Sequence, residues 1–224
     1  MQPGPMYFKT PRKCGVFGVM AEGPPQMVLF LLDEAVETGK GASTVISLLD
    51  FFLEDYGLKE VACHLHADNC SGQNKNNAML HYLMWRVVTG RHNITLSFSL
   101  PGHTKFGPDW CLGFFKRRFR RTRVDCMADI VQVATAASST GILTPQLCGD
   151  EAGNVLVPSR DWTAFLSEWF WKLVGLRRST ISSSKPAGRS CAVKMWQVRS
   201  RSSVCSRDLL PCRTRYPLSF SHPA

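Results

Sequence analysis

Long apolar runs are missing from this chain. The longest clear one, Met27 to Leu32, is of strand length, whereas a membrane helix needs about 20 apolar residues. The stretch Met1 to Lys13 has no apolar core of the kind a secretory signal carries. Without such a signal, the glycosylation patterns Asn69-Cys70-Ser71 and Asn93-Ile94-Thr95 are expected to be idle. The nine cysteines are odd in number, and no two form a Cys-x-x-Cys pair. That excludes a disulfide scaffold and predicts an intracellular protein with reduced thiols. Internal repeats are absent. Acidic residues are few: 17 against 27 Lys and Arg, and none before Glu22.

What is present suits one domain of ordinary size. The 224 residues are 44% hydrophobic, enough for a real core. The formal charge of +10 is uneven. Residues 183–224 hold eight Lys or Arg and one acid, and Lys116 to Arg123 packs six basic residues into eight positions. One patch and one tail therefore carry the excess, which favours a local polyanion contact over a uniformly basic surface.

Turn signals and apolar spacing divide the chain. Residues 6–10, 15–20 and 26–33 read as strands joined by short links, an antiparallel meander. Gln26 to Asp33 is nearly all apolar and so is expected to be buried on both faces. Gly39-Lys40-Gly41 lacks the first glycine and the hydroxyl of a phosphate-binding loop and reads as a turn. Ser43 or Thr44 is expected to cap a helix running to about Tyr56, with Val45, Leu48, Leu49, Phe52 and Leu53 as its stripe. A strand from Val61 to Asp68 follows, then a helix from about Asn74 to Val88. Met79, Leu80, Leu83, Met84, Val87 and Val88 share one face of that helix. Ile94 to Leu100 is a further strand, and a helix starts near Asp109 with Pro108 before it. Met127 to Val133 reads as helix, Leu147 to Val157 as a hairpin, and Trp162 to Leu173 as an aromatic-rich helix. Residues 1–175 form the domain, and 176–224 a basic Ser- and Arg-rich tail. From Ser183 on, the tail is expected to be disordered and has the texture of a frameshifted segment.

The densest polar block is His64 to Asn77. Asp68 falls where a strand ends and a turn begins, held by the sheet yet open to ligands. Around it stand Asn69, Gln73, Asn74, Asn76 and Asn77, whose amides suit phosphates, bases or metal-bound water, and Lys75, a further candidate contact to nucleic acid. A plain polar loop with Asn69 or Ser71 capping the next helix accounts for one or two of them. His64 and His66 share the face of Asp68, while Cys63 points the other way, so a zinc site is not expected. Helix positions 116–123 present Lys116, Arg117, Arg118, Arg120, Arg121 and Arg123. Phe114, Phe115 and Phe119 are expected to anchor the apolar side. The alternatives are a solvated helix face and a nuclear-import signal, the latter favouring the nucleus.

The order strand-strand-strand-helix-strand-helix-strand-helix is the layout of a ribonuclease H-like α/β fold, a mixed sheet flanked by helices. Its carboxylates come from the first strand, the end of the fourth strand and a late helix. Asp68 and Asp109 fall at the last two places. Together they are the expected ligands of Mg²⁺ or Mn²⁺, two such cations clamping a phosphodiester. His103 is the expected partner orienting phosphate or water, and Lys105 is a further backbone contact.

Five blocks carry a family resemblance: Gly4-Pro5-Met6-Tyr7-Phe8, Asp33-Glu34, Gly39-Lys40-Gly41, Asp68 to Asn76, and Gly102-His103-Thr104 with Asp109. Over roughly residues 3–175 the chain resembles a large animal family of uncharacterised, transposon-derived proteins with a transposase- or integrase-like domain. The resemblance implies that a strand-borne Asp, a turn Asp and a helix-start Asp act together. It also implies a Phe-Asp-x-Ala-Gln strand before Gly4, which this chain lacks. The expectation is therefore a truncated nuclease-type domain with weak or no activity. It would bind nucleic acid, DNA foremost, with no membrane and no small-molecule cofactor. Two alternatives stand beside it: a non-catalytic module binding nucleic acid through the basic helix, and a decayed gene product whose lost first strand leaves an open sheet edge.

Overall fold

The structure is a computed structural model. It describes residues 13–23, 25–36, 39–57, 62–90, 93–98, 107–150 and 152–174, and the backbone of 189–199. The expected strand at 6–10 lies outside the described residues.

A hairpin opens the fold. Strand β1 (Lys13–Glu22) pairs antiparallel with β2 (Pro25–Asp33), Phe17 opposite Phe30. Both strands are apolar on both faces because both faces are covered. Phe17, Val19, Val28 and Phe30 enter one core cluster, while Val16, Met20, Met27 and Leu29 enter the other. Full burial of each such side chain contributes about 1.5–3 kcal/mol.

Helix α1 (Ala42–Asp55) covers the first face with Val45, Ile46, Leu48, Leu49 and Phe52. Its cap differs from expectation. Gly41 holds the N-cap position without a side-chain bond. The Ser43 hydroxyl instead meets Thr163 and Asp161, and the buried Thr44 lies within the helix. Tyr56 closes the helix at its other end, and Gly57 follows because any side chain there would collide with the Leu53 carbonyl.

Strand β3 (Ala62–Ala67) pairs parallel with β4 (Asn93–Phe98), and helix α2 (Asn77–Gly90) crosses between them. Here the expected apolar face is rotated. Met79, His81, Tyr82 and Leu83 are buried, whereas Met84, Val87 and Val88 are exposed. The cause is polar tips with internal partners. Tyr82 donates its hydroxyl to Asp50 (2.8 Å), Arg86 donates to Asp50 (2.9 Å) and Glu54 (2.7 Å), and His81 meets the Trp171 carbonyl (3.1 Å). A helix turned so that these groups face inward cannot also bury Met84 and Val88.

On the opposite face of the sheet lie α3 (Gly107–Phe119) and α4 (Met127–Thr135). Gly107 enters α3 against the sheet, where a side chain would press on the Met20 sulfur at 2.8 Å. Strand β5 (Leu143–Leu147), unforeseen in the sequence, pairs parallel with β2. The expected 147–157 hairpin reduces to one bridge, Gly149 with Val155. Helix α5 is shorter than expected, Trp162–Ser167, and packs Trp162 and Leu166 into the first core.

The sheet order is β4-β3-β6-β1-β2-β5. Its sixth strand corrects the reading of the tail: β6 (Arg189–Arg199) lies between β1, antiparallel, and β3, parallel. Serine and arginine around it mask the apolar-rich run Cys191 to Val198. Two rows of backbone groups, on β1 and β3, supply the pairing that orders it. The remaining tail lies outside the described residues. In sum, the domain is a mixed sheet flanked by helices on both faces. Among the described residues no helix is long and apolar enough to cross a membrane.

Candidate functional site

Asp68 follows directly on β3, at the carboxyl end of the parallel strands. The turn after it is tight. The Cys70 carbonyl accepts N–H bonds from Gln73 (3.2 Å), Asn74 (2.8 Å) and Lys75 (3.0 Å). Asp68 Oδ1 accepts the Cys70 N–H (3.0 Å) and Asn74 Nδ2 (2.7 Å). This is an Asx-type turn reinforced by a buried amide.

Several of the amides serve the fold. Asn74 is 1% exposed and Lys75 8%. The Lys75 ammonium sits 5.4 Å from the centre of the Phe98 ring. Asn76 accepts the Met79 N–H (2.9 Å) and so starts α2, the capping role expected of Asn69 or Ser71. Asn77 accepts the Leu173 N–H (2.9 Å) and ties down the segment after α5. Asn69 and Gln73 are half-buried on the turn. Asn74 Oδ1 is a buried acceptor with no hydrogen-bond partner.

His64 and His66 stand side by side, ring centres 4.1 Å apart. His64 is buried and shares a 2.7 Å hydrogen bond with Ser97 Oγ. Burial, with the neighbouring His66 charge, holds its pKa below the ordinary histidine value. It is a buried imidazole tied to the neighbouring strand. Cys63 packs with the opposite core, as its position on the strand requires.

Asp109 is half-buried in the first turn of α3, where a carboxylate complements the helix dipole. His103 and Lys105 lie outside the described residues. A two-cation centre needs several converging carboxylate oxygens. Asp68 Oδ1 already accepts two N–H bonds, and among the described residues no three His, Cys, Asp or Glu gather. Among the described residues the donors around Asp68 therefore fall short of what a Mg²⁺ or Mn²⁺ pair needs.

The basic run behaves differently. Lys116 is half-buried, while Arg117, Arg118, Arg120, Arg121 and Arg123 are exposed at the end of α3 and just beyond. Arg123 pairs with Asp125 at 2.7 Å. Among the described residues no carboxylate pairs with Arg118, Arg120 or Arg121. Phe115 is buried and Phe119 half-buried, as expected of anchors, and so is Phe114, which packs against the same core. It stacks edge-on with Trp110, centres 4.7 Å apart, and carries the Arg117 guanidinium 5.4 Å from its centre. Trp110, 54% exposed, escaped the sequence reading. The signal was there: Trp110, Phe114 and Arg117 recur at helical spacing, on a line turned away from Cys111, Leu112 and Phe115.

A family model described as a domain of unknown function, DUF7869, matches residues 9–173. The chain belongs to that family. The DUF7869 match takes in the hairpin, the Asp68 turn and all of the basic run. No curated protein and no solved structure matches the chain.

Proposed function

We propose that this chain is a nucleic-acid-binding domain of ribonuclease H-like architecture, of transposase or integrase ancestry, that grips a phosphodiester backbone without cutting it. The observation carrying this reading is the exposed arginine cluster at the end of α3, three of whose members lack a carboxylate partner among the described residues. Like charges gathered without counter-charges are best stabilised by a polyanion.

Strand order supports the architecture. An antiparallel hairpin, a parallel β3–β4 pair in the same sheet and helices on both faces are what such an architecture requires. The non-catalytic part of the reading rests on the poor fit of the Asp68 surroundings to a cation pair.

The test is fluorescence anisotropy with labelled DNA at about 50 and about 200 mM salt, where backbone binding loses affinity steeply. Changing Arg117, Arg118, Arg120 and Arg121 to Ala is expected to weaken binding and to flatten the log–log salt slope by about 3 to 4. Mg²⁺ is expected to leave affinity unchanged beyond its ionic strength. Absence of binding at low salt overturns the reading, and robust Mg²⁺-dependent strand cleavage by this chain overturns its non-catalytic part.

A further inference from the structure

The outer face of α3 is more than a row of positive charges. Counting at helical spacing, Trp110, Phe114 and Arg117 lie along one line, about 10 Å from first to last, and Arg121 follows in the turn just beyond the helix. Arg118 and Arg120 flank that line. Gly113, one turn from Trp110, has no side chain to cover the indole, and nothing lies within 4 Å of where its Cβ would be. The indole is held by its contact with Phe114 yet is 54% exposed.

A duplex backbone needs only the arginines. An exposed indole beside them adds nothing to phosphate binding and costs exposed apolar area. It does suit a base that is not already stacked, since every base has a π-face and aromatic platforms beside cationic grooves hold single strands. The Arg117 guanidinium, 5.4 Å from the centre of the Phe114 ring, offers a second planar group for stacking.

Resting on the nucleic-acid reading above, we infer that this face takes unpaired nucleic acid, with Trp110 as a base-stacking platform and the arginines beyond it on the phosphates. The recognised chemistry is a base face joined to a phosphodiester, whether deoxyribose or ribose carries it.

The full chain is titrated with oligothymidylate, with oligouridylate, and with oligothymidylate annealed to oligoadenylate, at one salt concentration. A single strand of either sugar is expected to bind more tightly than the duplex. Trp110→Ala is expected to weaken single-strand binding about tenfold and leave duplex binding unchanged, while Trp110→Phe keeps most of it. Arg121→Ala is expected to weaken all three. Because Trp110 is exposed, its variants should melt with the parent, which circular dichroism checks. Equal binding of duplex and single strand with no loss in Trp110→Ala overturns this inference and leaves the nucleic-acid reading standing. Binding to none of the three overturns both. Binding of polyglutamate as tight as that of the single strands shows a plain polyanion site and overturns the stacking role.

Discussion

A carboxylate at the end of a sheet strand has two different uses, and Asp68 shows how they are told apart. A catalytic carboxylate is held in place at a cost to stability, so replacing it is neutral or stabilising. A turn-forming carboxylate is the reverse. Asp68 accepts the Cys70 N–H and the buried Asn74 amide. Removing the acceptor leaves the Asn74 donor unsatisfied in the interior, at about 1–3 kcal/mol. Asp68→Ala is therefore expected to lower unfolding free energy by that amount in urea titration. Asp68→Asn, which keeps one acceptor oxygen, should cost less. A stabilised Asp68→Ala would return the residue to the active-site reading. The sequence placed Asp68 correctly at the strand end, because strand, turn and helix signals bracket it. It did not show which amides face inward, since Asn74, Asn76 and Asn77 look alike until the Cys70 carbonyl gathers the turn.

At the scale of elements, α1, α2 and the segment leading into α5 are held by one ionic network. Asp50 receives Tyr82 and Arg86, Arg86 also binds Glu54, and Arg160 lies 3.5 Å from Asp50. Asp50 and Arg86 side chains are 16% and 11% exposed. Burial raises the Asp50 pKa despite the Tyr82 bond and the Arg86 charge that lower it. A raised folded pKa means that the fold favours the protonated form, so this carboxyl's contribution declines as pH rises through it. Arg86→Met removes the partner and leaves the buried charge. It is expected to cost about 3–5 kcal/mol near neutral pH. The deficit should shrink as pH falls through the raised folded pKa toward the ordinary aspartate value of 3.8, below which Asp50 is protonated in either state. A deficit independent of pH in urea titrations would show that lost packing, not the charge, is responsible. The same network explains why the face of α2 was misread. Counting Tyr82 and Arg86 as solvent-seeking turns the helix the wrong way, and only Asp50, 32 and 36 residues earlier in sequence, turns it back. By contrast α1 and β2 were legible, because their apolar patterns need no distant polar partner.

For the molecule as a whole, the question is what makes six strands one sheet. β5 and β6 both escaped the sequence, for different reasons. β5 carries Pro145, which reads as a breaker, but β5 is an edge strand paired only with β2, where a missing N–H is tolerated. β6 is short of local signals, and its place is set by the β1 and β3 rows it joins. Without it the hairpin side and the β3–β4 side share no backbone ladder, and two edges stand open. The two strands therefore answer oppositely to proline. Pro145 already sits in the sheet, whereas Val193 lies between Val19 and Ala67 in a strand paired on both sides. Proline there removes a ladder donor and crowds the neighbouring strand, so Val193→Pro is expected to cost about 3 kcal/mol or more. Urea unfolding followed by far-ultraviolet circular dichroism reads this as a lower midpoint, with light scattering rising as edges are exposed. An unchanged midpoint would mean that β6 stands outside the cooperative unit. The nucleic-acid face proposed on α3 should then be tested on a five-stranded body whose β1 and β3 edges are free to pair with another chain.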